Sequence, residues 1–383
     1  MTKEEFQNLL GAMLDSGEGV SDCLFIVDKP PLIERFGKLH ELPMAEKGAA
    51  LQPGHTEALA TLLIGGSERL RNDLTTNGSC DTSYVLPGRA RFRTNIYRQN
   101  GHIGLVMRKL QSVIPTVVSL DLPPVFNEVV REKYGIVFVT GSTGSGKTTT
   151  LAALLNELNR TQAVHIVTLE DPIEFLHPHA RSTFSQRELG KDFPDFATGL
   201  RAALRQAPKV ILIGEIRDRE TMEIALTASE TGHLVFSTLH TINAGQTIHR
   251  ILGMFSSDEE KQVRERLADT LRYVISQRLV SKINGGRMLV TEIMGSSLRT
   301  REALLYGENE NRSFQEIIEA GSTLGWHSFD QSLMRAFEED FITEETALLF
   351  STHKNKMRRD LEMAKKLRYP VHDEPSGLKI ASI

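Results

Sequence analysis

The chain alternates between two hydrophobic rhythms. Residues 4–14 place apolar side chains at helical spacing, Cys23–Val27 reads as a short strand, and a second helix is expected over 55–64. From Arg89 to Leu110 two extended segments flank Asn100-Gly101, a dipeptide whose ready positive φ suits a tight hairpin turn. Residues 1–110 therefore read as a mixed α/β domain. Pro115, Pro123 and Pro124 interrupt the next stretch, and proline continues neither a ladder nor a helix interior, so 111–124 reads as a linker.

Beyond the linker the rhythm changes. Apolar runs at Gly135–Thr140, His165–Leu169, Val210–Ile213 and His233–Thr238 alternate with helical patterns, which is how a parallel sheet covered on both faces appears in sequence. An α/β domain is expected over 125–363. Within it, Ser257 followed by Glu260 predicts a capped amphipathic helix over 258–278. Residues 364–383 carry Lys365, Lys366, Pro370, Pro375 and Gly377 without periodicity, so a mobile tail is expected.

Composition narrows the function. A formal charge of −4 and a pI near 6.3 supply no field that would draw a phosphate backbone, so nucleic acid is not expected as a partner. Only Cys23 and Cys80 are present, too few and too far apart for a tetracysteine zinc site, and inert thiols in a reducing cytoplasm are expected. No apolar run reaches membrane-spanning length, and the N-terminus lacks the basic start and apolar core of a signal peptide.

The sharpest motif is Gly141-Ser142-Thr143-Gly144-Ser145-Gly146-Lys147-Thr148, a complete GxxxxGK[ST] loop between a strand and a helix, followed by Thr149. Glycines let successive N–H groups turn toward phosphates, and the helix N-terminus adds its positive end. Lys147 is expected on the β- and γ-phosphates of ATP and Thr148 on Mg²⁺. Turnover also needs a carboxylate to hold the metal shell or orient the attacking water. Glu215 follows Val210–Ile213 at a strand's C-terminal end, where such sheets bind ligands, and is the Walker B candidate for metal and water. Glu170 and Glu174 leave another strand end. His233 and His240 bracket the run Leu234–Leu239 and are candidates for contact with the γ-phosphate or an opposing subunit.

Arg91 and Arg93 share a strand face by the period of two, and Arg108 lies in the same hairpin. The residues alone leave two readings open, a set of arginine fingers aimed at a neighbour's triphosphate or a salt-bridged strand face.

Taken in order, these motifs resemble the secretion ATPase superfamily, and within it the PilT/PilU family of type IV pilus retraction ATPases. The resemblance covers roughly 20–365. It rests on Gly141–Thr149 as Walker A, Thr168–His177 as an acidic box, Val210–Asp218 as Walker B and Thr231–Thr241 as a histidine box. Arg91-Phe92-Arg93 with Arg108 is similar to the arginine strands, and Val274–Leu279 to a late helix signature. The resemblance implies a PAS-like N-terminal domain and a RecA-like ATPase domain with C-terminal helices, assembled as a homo-hexamer.

In that scheme Glu215, helped by Glu174, activates water. Arg91, Arg93 and Arg108 act as fingers, and His233 and His240 sense the γ-phosphate. The implied setting is the cytoplasmic face of the inner membrane at the pilus base, with a platform protein and a related retraction ATPase as partners. Ser297–Leu304 departs from the family's usual helix at that place, which brings an accessory retraction role into view. Pilus assembly, type II or type IV secretion, and a nucleotide-gated scaffold without turnover are the alternatives.

Overall fold

The computed structural model describes residues 2–42, 50–111, 113–309 and 312–368. Packing divides the chain into two units. The first combines residues up to Ile114 with Thr168–His179 and Phe184–Gly199, and the second holds the remainder.

The first unit is built on a six-stranded sheet. Its strands are β1 (Val20–Phe25), β2 (Leu32–Arg35), β3 (Lys38–Glu41), β4 (Ser79–Leu86), β5 (Ala90–Gln99) and β6 (His102–Lys109), in the order β3-β2-β1-β6-β5-β4. Thr2 and Glu5 close a capping box on the first helix, Lys3–Asp15, which buries Phe6, Leu10 and Met13. Those side chains meet Phe25, Phe92, Ile96, Leu105 and Met107 in one core. Between β5 and β6 the turn is the expected one, with Asn100 at φ 47° and Gly101 at φ 79°, both positive as a type I′ hairpin needs. Cys23 and Cys80 are buried free thiols, and burial pushes the Cys23 thiol up to about 12.

Seven further strands follow: β7 (Gly135–Thr140), β8 (His165–Glu170), β9 (Thr183–Glu188), β10 (Val210–Ile213), β11 (Leu234–Leu239), β12 (Leu271–Ser281) and β13 (Arg287–Gly295). They form a sheet in the order β13-β12-β7-β11-β10-β8-β9. β7, β10 and β11 are buried at every residue and run parallel, as their largely apolar runs predict. β12 runs parallel to β7 and antiparallel to β13, so a hairpin closes that side of the sheet.

This hairpin corrects the single helix expected over 258–278. The helix spans only Glu260–Thr270, and Leu271 begins a strand. Gly135, at φ 107°, explains the close approach, because a Cβ there would sit 2.5 Å from the Thr270 carbonyl. Sheet pairing of Val274 and Ile275 with Phe138 and Val139 then outweighs the local helical rhythm. Ser257 is not the cap either. Ser256 instead bonds the Glu259 carboxylate through its N–H and hydroxyl.

The C-terminal helices Phe329–Glu338, Glu344–Phe350 and Lys354–Arg368 share a core of Phe329, Leu333, Ile342, Met357 and Leu361 with Val280 and Val290 of the hairpin. The last helix thus runs through 364–368, where a mobile tail was expected, and the rest of that expectation, 369–383, lies outside the described residues. Among the described residues no helix is long and apolar enough to cross a membrane.

Glu292 of β13 is 3% exposed and accepts the Ala244 N–H at 2.9 Å, fixing the start of the helix Ala244–Leu252. Burial pushes its carboxyl up to about 7 against that hydrogen bond and the nearby Arg278. Below the ordinary carboxylate range the group is protonated in folded and unfolded chains alike. Between about 4.5 and about 7 the unfolded chain releases a proton that the folded chain keeps, so stability falls as pH rises through that window. Glu292→Gln keeps the acceptor oxygen and removes the titration. Relative to wild type it should gain roughly 2–3 kcal/mol between about pH 5 and pH 8, read from denaturant unfolding at both pH values.

Candidate functional site

The GxxxxGKT loop leaves the buried end of β7 and enters the helix Lys147–Thr161 through Gly146, whose φ of 94° only glycine adopts without strain. Gly141 is constrained more tightly. It sits at φ 142°, and a Cβ there would meet the Ser145 hydroxyl at 2.5 Å and the Gln277 carbonyl at 2.6 Å. The loop is therefore wedged against β12. Gln277 itself is 1% exposed and donates its side-chain amide to the Thr150 hydroxyl at 2.8 Å, and Thr140 donates to Ser276 at 2.9 Å. The strand read as a late helix signature is thus the wall of the GxxxxGKT loop.

Lys147 is 8% exposed, and its ammonium donates to the carbonyls of Gly141 at 2.8 Å and Ser142 at 2.9 Å. Burial pulls its pKa down, and the Glu215 carboxylate pushes it back up. A desolvated ammonium and the buried Ser145 hydroxyl, which has no hydrogen-bond partner, fit a loop shaped for an anion. The Thr148 side chain lies exposed in the first helical turn.

Glu215 follows β10 at the same end of the sheet. Its side chain is 17% exposed, accepts from Arg217, and lies 3.5 Å from Nε2 of His240, which follows β11. Lys147, Glu215 and His240 are thus brought together by three adjacent parallel strands, at the end where such sheets bind ligands. His233 precedes β11 and belongs to the opposite end, six residues of extended chain from His240, and its Nδ1 lies 2.9 Å from the Ala228 carbonyl. Within one chain the two histidines do not face one phosphate.

The other candidates lie in the first unit. Glu170 is 8% exposed and accepts from the Thr168 hydroxyl at 2.6 Å and the Gln186 amide at 3.2 Å. Burial pushes its carboxyl up to about 7. Glu174 is half-buried in the loop that follows. The arginines divide. Arg93 and Arg108 stand opposite one another on β5 and β6 with half or more of each side chain exposed, Arg108 donating to the buried Asp22 at 2.9 Å and Arg93 lying 4.0 Å from Asp81. Arg91, on the same face as Arg93, is covered, its side chain 14% exposed and 3.8 Å from Glu188.

Glu188 and Gln186 carry no motif in the sequence, and Gln277 stands there only as part of the late helix signature. β9, which carries the first two, has charged and polar residues at most positions and no apolar run to mark it.

Residues 105–288 match the family model "Type II/IV secretion system protein". The Pseudomonas aeruginosa type IV pilus retraction ATPase PilT is 40% identical over 332 residues, covering 86% of this chain and 94% of that protein. The chain belongs to the PilT/PilU family of secretion ATPases. The type IV pilus ATPase PilU of the same organism is 34% identical over 92% of this chain and 90% of its own length. A crystal structure of the pilus retraction motor PilT with bound ADP superposes with a TM-score of 0.82 at 37% identity, over 92% of this chain and 98% of that one. An N-terminal sheet domain followed by an ATPase domain with C-terminal helices is common to this family and to the fold described above.

Gly141→Ala tests the wedge directly. Strain at positive φ and the two close contacts together should cost about 3 kcal/mol or more of folding stability, read from denaturant unfolding beside wild type.

Proposed function

We propose that the chain is an ATP-hydrolysing motor that works as a homo-hexamer at the cytoplasmic face of the inner membrane and powers retraction of type IV pili. The observation that carries this reading is the convergence of Lys147, Glu215 and His240 at one sheet end. A relative named for pilus retraction matches nearly its whole length and supports the same reading.

The loop from Gly141 to Thr149 would cradle the triphosphate with its N–H groups, and Lys147 would exchange its two carbonyl partners for β- and γ-phosphate oxygens. That exchange pairs a desolvated ammonium with an anion and is favourable for both. Mg²⁺, held by Thr148 and the phosphates with Glu215 near by, would neutralise charge developing on the oxygens. Glu215 would orient and deprotonate the attacking water, with Arg217 and His240 fixing its two oxygens. Glu174 and Glu170 would serve the same step from the acidic box. Arg93 and Arg108 are exposed and suited to reach a neighbouring copy's phosphates. His240, beside Glu215, would sense the γ-phosphate.

The pilus platform protein and a related retraction ATPase are the proposed partners. An accessory retraction role is the second reading, favoured by the length of the match to PilU.

Steady-state phosphate release by the purified chain tests the motor. Wild type should turn over, and Lys147→Ala and Glu215→Gln should each fall by about a hundred-fold or more. Equal rates in all three would point to a scaffold that binds nucleotide without cleaving it. In cells, deletion should leave surface pili present and immobile, whereas loss of all pili would indicate assembly.

A further inference from the structure

β9 has no assigned part in the ATPase cycle, yet two of its side chains hold much of the acidic box. Gln186 and Glu188 are two residues apart and so share one face of the strand. From Gln186, the amide nitrogen donates to Glu170 at 3.2 Å and to the Phe175 carbonyl at 2.8 Å, while its oxygen accepts the His177 N–H at 2.8 Å. Glu188 accepts the Ile173 N–H at 3.3 Å. Where the strand ends, the Leu189 N–H reaches the Glu170 carbonyl at 2.8 Å. The segment carrying Glu170 and Glu174 is therefore stitched along its length to one strand.

Glu188 also looks the other way. Its carboxylate, 7% exposed, accepts from the Ser83 hydroxyl at 3.1 Å, pairs with Lys191 at 2.6 Å and lies 3.8 Å from Arg91. Ser83 belongs to β4 and Arg91 to β5, so one buried carboxylate joins the acidic box to the arginine strands of the same unit. Arg91 Nη1 is buried without a hydrogen-bond partner, so this guanidinium depends on the Glu188 charge in place of water.

We propose that Gln186 and Glu188 are positioning residues that hold the acidic box in its working geometry, and that Arg91 acts through Glu188 inside its own chain rather than on a neighbour's nucleotide. The residues that touch nucleotide stay where they are when this clamp is cut, so binding survives and the chemical step suffers. A carboxylate displaced by about 1 Å loses much of its effect on an attacking water.

The inference rests on the ATPase reading, and the experiment separates the two. Phosphate release and fluorescent-ADP affinity are measured on the full chain and on Glu188→Gln, Gln186→Leu, Arg91→Ala and the double variant Arg91→Ala/Glu188→Gln. Wild type without turnover would remove the ATPase reading itself. With wild type active, each single variant should lose about ten-fold or more in kcat while its ADP affinity stays within about three-fold. The double variant should be no worse than the poorer single one, because both changes cut the same clamp.

Arg91→Ala chains are then mixed with Lys147→Ala chains. A finger acting between copies would be restored in the mixture, since the Lys147→Ala chain brings an intact Arg91 to a neighbour's intact loop. No gain above the sum of the separate rates is expected. Recovery on mixing, or wild-type kcat in Glu188→Gln, would overturn the proposal. If Glu188→Gln proves unfolded by circular dichroism, Gln186→Leu and the mixing experiment decide it.

Discussion

An ammonium held almost out of water beside the backbone carbonyls of its own loop is the condition on which the ATPase unit is built. Lys147 carries a charge that burial disfavours, and the loop carbonyls and Glu215 offset only part of that cost. The geometry that creates this situation is the close wedge of Gly141 against β12, possible because no Cβ intrudes. An anion with several oxygens relieves the tension. The three parallel strands that end there deliver a carboxylate and an imidazole to the same place.

The fold was legible wherever burial left a clean rhythm. The hairpin at Asn100-Gly101, the largely apolar runs of β7, β10 and β11, and the loop at 141–148 could be read because each is governed by local chemistry. Failures came where tertiary pairing overrode it. Leu271–Ser281 continues a helical pattern yet pairs with β7 and β13, and nothing local distinguishes the two outcomes. β9 was missed because its strand character comes from its neighbours, its side chains being spent on hydrogen bonds rather than on a core. His233 could not be separated from His240 by sequence, although one lies at each end of a single strand.

The arginines show how burial sorts residues that sequence treats alike. Arg91 and Arg93 are two positions apart on one face, with the same charge and Phe92 between them. Arg93 is left at the surface with a loosely held partner, whereas Arg91 is nearly enclosed beside a carboxylate that is itself enclosed. An exposed cation retains its freedom to meet an incoming anion. An enclosed one is committed, and removing either partner leaves the other charged and dry.

Two successive residues of β12 point to opposite sides of the sheet. Gln277 grips the helix behind the phosphate loop, while the Arg278 guanidinium lies 3.7 Å from the Phe329 ring centroid and donates to the Phe350 carbonyl, both in the C-terminal helical bundle. With β7 paired along one edge and β13 along the other, this one strand is the shared wall between the loop's helix and the bundle.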